Sequence, residues 1–435
     1  MKDNVRKPVV PGDGQKIIEI LPKDLLPAGA SPDEKLTERL DAILLNRYTG
    51  FPIMILCFVL LFAASFTLGK PLSTGIGALF DRLVLVFENS ALALALPSLL
   101  MGLISDGILR GIGSALAFFP QMLIFYIFYT LVTDTGYAER IAYLMHRPMR
   151  RINMDGKSFA PLILGYGCNV TAIVGASSIP SQTDRLLVML VSTFTPCSAR
   201  LGVIIYITAA FFSPLIATLV MSSLIVLSWL VSAAVSFVVK RNFPGRKKAN
   251  VLPHLPAYHI PTAPRVLGSA VKRTLDFLNR IKNVVIISSI VVWFLSTFPL
   301  GNNFDHSFAA LLGRFLEPAG KLAGLNWELI VALIFGFFAK ETTLSTLGIL
   351  YHASSGLGNL GSLLTASISP LSGFTFLIIY MLYIPCVATV TTIIKESNSR
   401  LFGMLSVGFS LSVAFTLGIV VYNTGLLVLL LTKYF

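Results

Sequence analysis

Charge is what this sequence has least of. Asp, Glu, Lys and Arg make up 13% of its 435 residues, against 55% apolar residues and a mean hydropathy of +0.78. A soluble domain averages roughly 25% charged residues, and so little polar surface cannot cover a water-soluble fold. Acid is scarcer than base, 21 residues against 34, which gives a net charge of +13. Cysteine is scarce too. The four, Cys57, Cys168, Cys197 and Cys386, form no C-x-x-C pair and no Cys/His spacing of the kind that builds a structural zinc site. No G-x-x-x-x-G-K-[ST] phosphate loop, N-K-x-D-like base reader or nucleophile–base–orienter set occurs in the chain. Nucleotide hydrolysis is therefore not expected of it, and the reading is of a non-enzyme.

What charge there is sits in loops. Residues 1–48 carry eight basic and eight acidic side chains and cancel. Segment 139–157 nets +3 and segment 240–282 nets +9, so these two hold 12 of the 13 net charges. Both lie between apolar stretches, as the positive-inside rule expects of cytoplasmic loops. Topology explains the basicity, and no nucleic-acid partner is expected. The partner is a lipid bilayer.

The predicted fold class is an all-α polytopic membrane protein with about eight spanning helices, plus broken or re-entrant helix pairs. Residues 1–48 read as a cytoplasmic N-terminal lead. It holds Pro8, Pro11, Pro22, Pro27 and Pro32, and an amphipathic helix runs from Ser31 to about Arg47. No signal peptide precedes the first apolar run. Residues 49–238 form a first membrane half, 239–282 the basic cytoplasmic loop and 283–435 a second half. Spans are expected at Ile53–Leu68, Ile112–Thr133, Leu215–Val239, Val284–Phe298, Leu329–Phe338, Phe374–Tyr383 and Phe402–Val421. Segment 75–110, interrupted by charges and glycines, reads as interfacial helices, and loop 299–326 fits the outer side. The five histidines, His146, His254, His259, His306 and His352, are placed in or beside loops and none is assigned as a ligand.

Two regions, 158–212 and 333–400, are apolar but punctured by Gly, Pro and polar residues. Inside a bilayer, breaks of this kind survive only within protein or beside a wet cavity. The regions echo each other. Gly165-Tyr166-Gly167-Cys168-Asn169 is followed by Phe194-Thr195-Pro196-Cys197-Ser198-Ala199, and Gly336-Phe337-Phe338-Ala339-Lys340 by Tyr383-Ile384-Pro385-Cys386-Val387-Ala388. Paired Gly/Pro-interrupted segments in corresponding halves point to a transporter binding site. Proline removes a helix hydrogen bond and frees the carbonyl four residues back. The expectation is two half-helix pairs meeting near the midplane, lined by thiols, carbonyls and amides.

Cys57 reads as a buried small hydrophobe, whereas Cys168, Cys197 and Cys386 each sit at a helix break. With the Asn169 oxygen and Ser198 beside them, these thiols suit a borderline-soft divalent ion such as Fe(II), held weakly enough to leave. Gly165, Gly167, Pro196 and Pro385 shape the path. Lys340 and Glu341 interrupt an apolar run where each charge costs at least about 2.5 kcal/mol, and adjacent helix positions point to different partners. Glu341 reads as an ion-coordination or proton-coupling residue, with a structural ion pair as the alternative. Asp184, Arg185 and Arg200 read as anchors of helix ends.

These residues resemble the membrane portion of FeoB, the ferrous iron transport protein B family of bacteria and archaea. The match runs through Leu44-Leu45-Asn46-Arg47-Tyr48, Asp134-Thr135-Gly136-Tyr137, Gly165 to Val170, Cys197-Ser198-Ala199-Arg200, Ala339-Lys340-Glu341 and Pro385-Cys386-Val387-Ala388-Thr389, in family order over about residues 39–425. The resemblance implies two Gate-type repeats and import of Fe2+ across the cytoplasmic (inner) membrane of a prokaryote, with a cytoplasmic N-terminus. It makes Cys168, Cys197 and Cys386 iron-path residues and Fe2+ a substrate, with no permanently bound cofactor. Departures are Thr171 and Gly202 where the family favours Pro, Thr133 for an acid, Glu139 for a small residue and Pro196 for Ser. The family's GTP-binding domain has no counterpart in these residues. The resemblance therefore implies a separate GTP-binding subunit and a small Feo-type accessory protein, or a divergent stand-alone permease. It leaves a homo-oligomer open. The competing readings are a Gate-type transporter of another divalent metal or a nucleoside, and a membrane scaffold for a G protein.

Overall fold

The computed structural model describes residues 34–89, 97–242, 258–259, 261–299, 304–351 and 357–434, and the regular structure within them is helical. The proline-rich lead before Glu34, His254, His352 and the middle of the basic loop lie outside the described residues. The all-α membrane fold is as expected.

Helix α1 (Glu34–Leu44) is the amphipathic helix of the lead, and the Asn46 side chain then caps α2 (Arg47–Glu88) by accepting from the Tyr48 N–H at 3.0 Å. At 1.5 Å per residue α2 runs about 63 Å, twice a hydrocarbon thickness of about 30 Å. The expected span 53–68 lies within its N-terminal half, and 75–88 continues the same helix. Pro52 and Pro71 sit inside this helix, and the Thr74 hydroxyl donates to the carbonyls of Lys70 and Pro71 at 2.9 Å. The next segment comprises α3 (Ser98–Gly102), a π-helical stretch Leu103–Leu109, α4 (Arg110–Ala117) and α5 (Phe119–Asp134). The expected span Ile112–Thr133 is thus bent at Phe118, because Pro120 opens a new helix there. α6 (Tyr137–Arg151) carries the first basic cluster and contains His146, which is helical and not in a loop.

The two broken regions fold alike. In the first, α7 (Phe159–Gly167) and α8 (Asn169–Ala176) double back at Cys168, so that Gly175 lies against Pro161 and Leu164. α9 (Gln182–Ser192) and α10 (Ser198–Phe211) follow end to end, and α11 (Pro214–Asn242) returns, its Lys240 pairing with Asp184 at 2.8 Å. In the second, α14 (Trp327–Phe338) and α15 (Thr342–Leu350) make the hairpin. α16 (Leu357–Ser367) is inserted, α17 (Pro370–Leu382) and α18 (Val387–Ser397) form the broken helix, and α19 (Arg400–Tyr434) returns. Gly373 near the start of α17 faces Phe211 at the end of α10, and Gly425 late in α19 faces Leu371. The two broken helices therefore run in opposite directions, and the repeats are inverted with respect to the membrane.

Between the repeats α12 (Ala263–Thr297) begins far ahead of the expected span at Val284, so much of the basic loop is helical, and α13 (Phe308–Lys321) occupies the loop expected on the outer side. α12 packs along α4 and α5, with Gly111 against Ser289, while α2 packs on their other side, with Gly69 against Gln121 and Gly113 against Phe80. Among the described residues five helices are long and apolar enough to cross a membrane: Tyr48–Glu88, Pro214–Asn242, Ala263–Thr297, Pro370–Ser397 and Arg400–Thr432. The bent α4–α5 and the broken α9–α10 add two crossings to these. The segments 329–338 and 374–383, expected as spans, are one arm of a hairpin and one half of a broken helix.

One hydrophobic core joins both repeats, with Val188, Phe194, Ile204 and Leu224 of the first against Leu329, Phe376, Leu377 and Ile379 of the second. α5 and α12 meet the repeats through a smaller cluster of Met122, Tyr126, Val170, Phe277 and Ile281.

Candidate functional site

Each of three helix breaks ends on a cysteine in extended backbone: Cys168 before α8, Cys197 before α10 and Cys386 before α18. All three occupy the N-cap position, and none of their side chains caps the helix. The thiols are therefore left beside the positive ends of three half-helices, which favour electron-rich ligands. They converge on one cavity of about 200 Å³. Gly167, Ser198, Lys340 and Glu341 line it from the repeats, and Met122, Phe277, Ile281, Val285, Ser288 and Val292 form the facing wall on α5 and α12.

Behind the thiols the carbonyls freed by the breaks are already engaged. Pro385 has no N–H to offer the carbonyl of Met381, and the Arg200 guanidinium donates to that oxygen at 2.8 Å instead. Arg200 also donates to Thr193 at 3.0 Å, Tyr383 at 2.7 Å and Ile384 at 3.0 Å, while its side chain is fully buried. Lys340, 3% exposed, donates to the Ile384 carbonyl at 2.7 Å and lies 3.5 Å from the centre of the Tyr383 ring. The Tyr380 hydroxyl donates back to the Lys340 carbonyl at 2.9 Å. The expected lining of open carbonyls is thus replaced by carbonyls closed off with side-chain cations. Arg200 anchors a helix end, as expected of it, but the end belongs to the other repeat.

Residue-by-residue equivalence of the repeats follows from their hydrogen bonds. Thr171 donates to Cys168 at 2.6 Å and Leu164 at 3.4 Å; Thr342 donates to Ala339 at 2.8 Å and Phe335 at 3.4 Å. This register pairs Gly165 with Gly336, Cys168 with Ala339 and Asn169 with Lys340. With its amide nitrogen toward the acceptors, Asn169 donates to Thr195 at 3.2 Å and Gly165 at 3.0 Å, as Lys340 donates to Ile384, the counterpart of Thr195. The fourth break, at the second hairpin tip, thus carries Ala339, a methyl where the first repeat has a thiol.

The predicted site residues divide accordingly. Cys168, Cys197, Cys386, Ser198, Gly167, Lys340 and Glu341 share the cavity. Asn169, Gly165, Pro196 and Pro385 do not line it and hold the hairpin tip and the breaks behind it. The Ser198 hydroxyl is engaged, donating to the Gly167 carbonyl at 2.9 Å. The Cys386 sulfur lies 3.2 Å from the Thr389 hydroxyl. Glu341 is exposed toward the cavity at the start of α15. Among the described residues no three His, Cys, Asp or Glu side chains gather into a metal-holding cluster. Sequence reasoning missed Tyr380 and the α12 wall, and it marked Tyr383 only as the aromatic of a repeated motif, without a role. The wall was visible as a stripe at helical spacing, Phe277, Ile281, Val285, Ser288 and Val292; Tyr380 carried no local signal.

Comparison with known proteins accords with this geometry. The Gate family, described as nucleoside recognition, matches residues 115–211 and 280–400, together half of the chain. The chain is 34% identical over 417 residues to the Fe(2+) transporter FeoB of Staphylococcus aureus (strain COL), covering 94% of this chain and 62% of the relative. It is 29% identical over 421 residues to the Fe(2+) transporter FeoB of Methanocaldococcus jannaschii, covering 94% and 62%. It is 29% identical over 446 residues to the Fe(2+) transport protein A/Fe(2+) transporter FeoB fusion protein of Porphyromonas gingivalis, covering 90% and 52%. The chain thus spans about three-fifths or less of the length of these curated relatives. No solved structure matches it.

Proposed function

The chain belongs to the Gate family, and from that premise we propose that it is a permease carrying ferrous iron through the cavity between its two inverted repeats. The observation that carries the reading is the convergence of Cys168, Cys197 and Cys386 on one cavity at three helix N-termini. Thiols suit a borderline-soft divalent ion. An open row of ligands also lets the ion leave, which a closed cage would not. Glu341, in the same cavity, supplies negative charge beside the thiols.

The basic clusters on α6 and at the end of α11 support a cytoplasmic location, in a prokaryotic cell, for the face that bears them, and in this reading Fe2+ moves inward toward that face. The repeat-bearing halves are residues 49–238 and 283–435, joined by the basic loop 239–282. Nucleotide hydrolysis is assigned to a separate GTP-binding subunit and not to these residues, which carry no phosphate-loop motif. The fusion protein among the relatives supports a small accessory partner of the Fe(2+) transport protein A kind. Purified chain in liposomes loaded with an iron-quenched dye should admit Fe(II). Substitution of Cys168, Cys197 and Cys386 together by Ser should abolish the flux, and undiminished influx in that variant would sink the thiol path.

A second reading, transport of a nucleoside, is favoured by the family description, and the same thiols also suit other borderline divalent metals. Competition of iron influx by Mn(II), Zn(II) and nucleosides separates the two.

A further inference from the structure

The break between α17 and α18 has the chemistry of a cation site. Three of its backbone carbonyls, Met381, Tyr383 and Ile384, and the face of the Tyr383 ring are turned toward two positive groups, Arg200 and Lys340. Carbonyl oxygens and an aromatic face are what a small monovalent cation takes in place of water. Among the described residues no carboxylate forms an ion pair with either Arg200 or Lys340; the negative ends of peptide dipoles balance them.

The two cations differ in kind. Arg200 spreads a planar fork over four carbonyls, which no spherical ion can reproduce. Lys340 is a point charge on a flexible stem, with one described carbonyl partner and two rings, Tyr383 at 3.5 Å and Tyr380 at 5.6 Å. The first repeat shows what the position needs structurally: at the equivalent place the neutral amide of Asn169 ties the hairpin tip to the break. A donor is enough for that, so the charge at residue 340 is an addition. Lys340 also lines the cavity, so a small ion in the cavity reaches the position once the side chain is cut back.

We propose that the Lys340 ammonium is a tethered stand-in for a dissociable monovalent cation at the α17–α18 break, and that removing it opens a site for one. The resting chain then needs no bound sodium, potassium or ammonium ion, whereas a chain with a small neutral residue at 340 does.

The test is thermal unfolding of purified, iron-free full-length chain in detergent at fixed ionic strength, with NaCl, KCl or NH4Cl exchanged for N-methyl-D-glucamine chloride. Wild type should melt at the same temperature in all four. Lys340→Ala should melt lower in N-methyl-D-glucamine and recover by about 2–4 °C or more, saturably, with at least one small cation. Lys340→Met, which fills the space with an apolar chain, should be destabilised without recovery. The proposal is overturned if Lys340→Ala is indifferent to the cation, if it cannot be obtained folded in any of the four salts, if Lys340→Met recovers equally, or if wild type responds. The readout contains no iron, so it stands or falls independently of the transported substrate.

Discussion

Arg200 shows how much of this fold rests on single side chains. A hydrogen bond to a charged donor is worth about 1.5–3 kcal/mol, and four carbonyls depend on this one guanidinium. Arg200→Met should therefore destabilise the chain by at least about 4 kcal/mol, and Arg200→Lys, which cannot fork, should fall between the two. Thermal melts of the detergent-solubilised variants check the order. Glu341→Gln keeps the size of a residue exposed in the cavity and removes its charge. It should leave the melting temperature within a few degrees of wild type while lowering Fe(II) influx several-fold; unchanged influx would remove Glu341 from the path. At this scale the thiols were legible because Gly and Pro beside them mark the breaks. The role of Arg200 across the repeats was not, since its partners are backbone oxygens, which leave no residue type behind in the sequence.

At the scale of elements the informative contrast is between glycines. A Cβ on Gly111 of α4 would meet the Cβ and hydroxyl of Ser289 on α12 at 2.6 and 2.5 Å, whereas one on Gly202 of α10 would meet nothing within 4 Å. Gly111→Ala should cost about 1–3 kcal/mol by prising the two helices apart, and Gly202→Ala should be neutral or stabilise by up to about 1 kcal/mol through helix propensity. Parallel melts of the two variants, read against wild type, decide it. Element boundaries were read from the sequence less well than the breaks. Pro52 and Pro71 look like stops yet lie inside α2, where α5 and α6 pack beside the helix. Leu329–Phe338 looks like a short span because an apolar hairpin arm and an apolar crossing have the same composition. Only the contacts between α14 and α15 tell them apart.

For the whole molecule the inversion of the repeats has a direct consequence for sidedness. With seven crossings and two hairpins that return to the face they left among the described residues, α19 ends on the face opposite the basic clusters. A reporter fused after Tyr434 should be accessible from the outside of intact cells, and one inserted in the basic loop only after permeabilisation. The reverse pattern would overturn the orientation. That two regions repeat was legible from the paired Gly/Pro signals, but their inversion was not, because it depends on each hairpin turning back. The continuous core and the Arg200 clamp also bear on how the cavity can open. Both breaks, the hairpin tip and the returning helices are packed into one body, and close-packed interiors resist piecemeal deformation. The facing wall on α5 and α12 joins that body through three much smaller apolar clusters and the Arg280–Glu396 ion pair. Access to the thiols therefore changes at least cost when the wall rocks against the double repeat as a rigid unit, with the cavity as the seam and the broken helices as its fixed jaw.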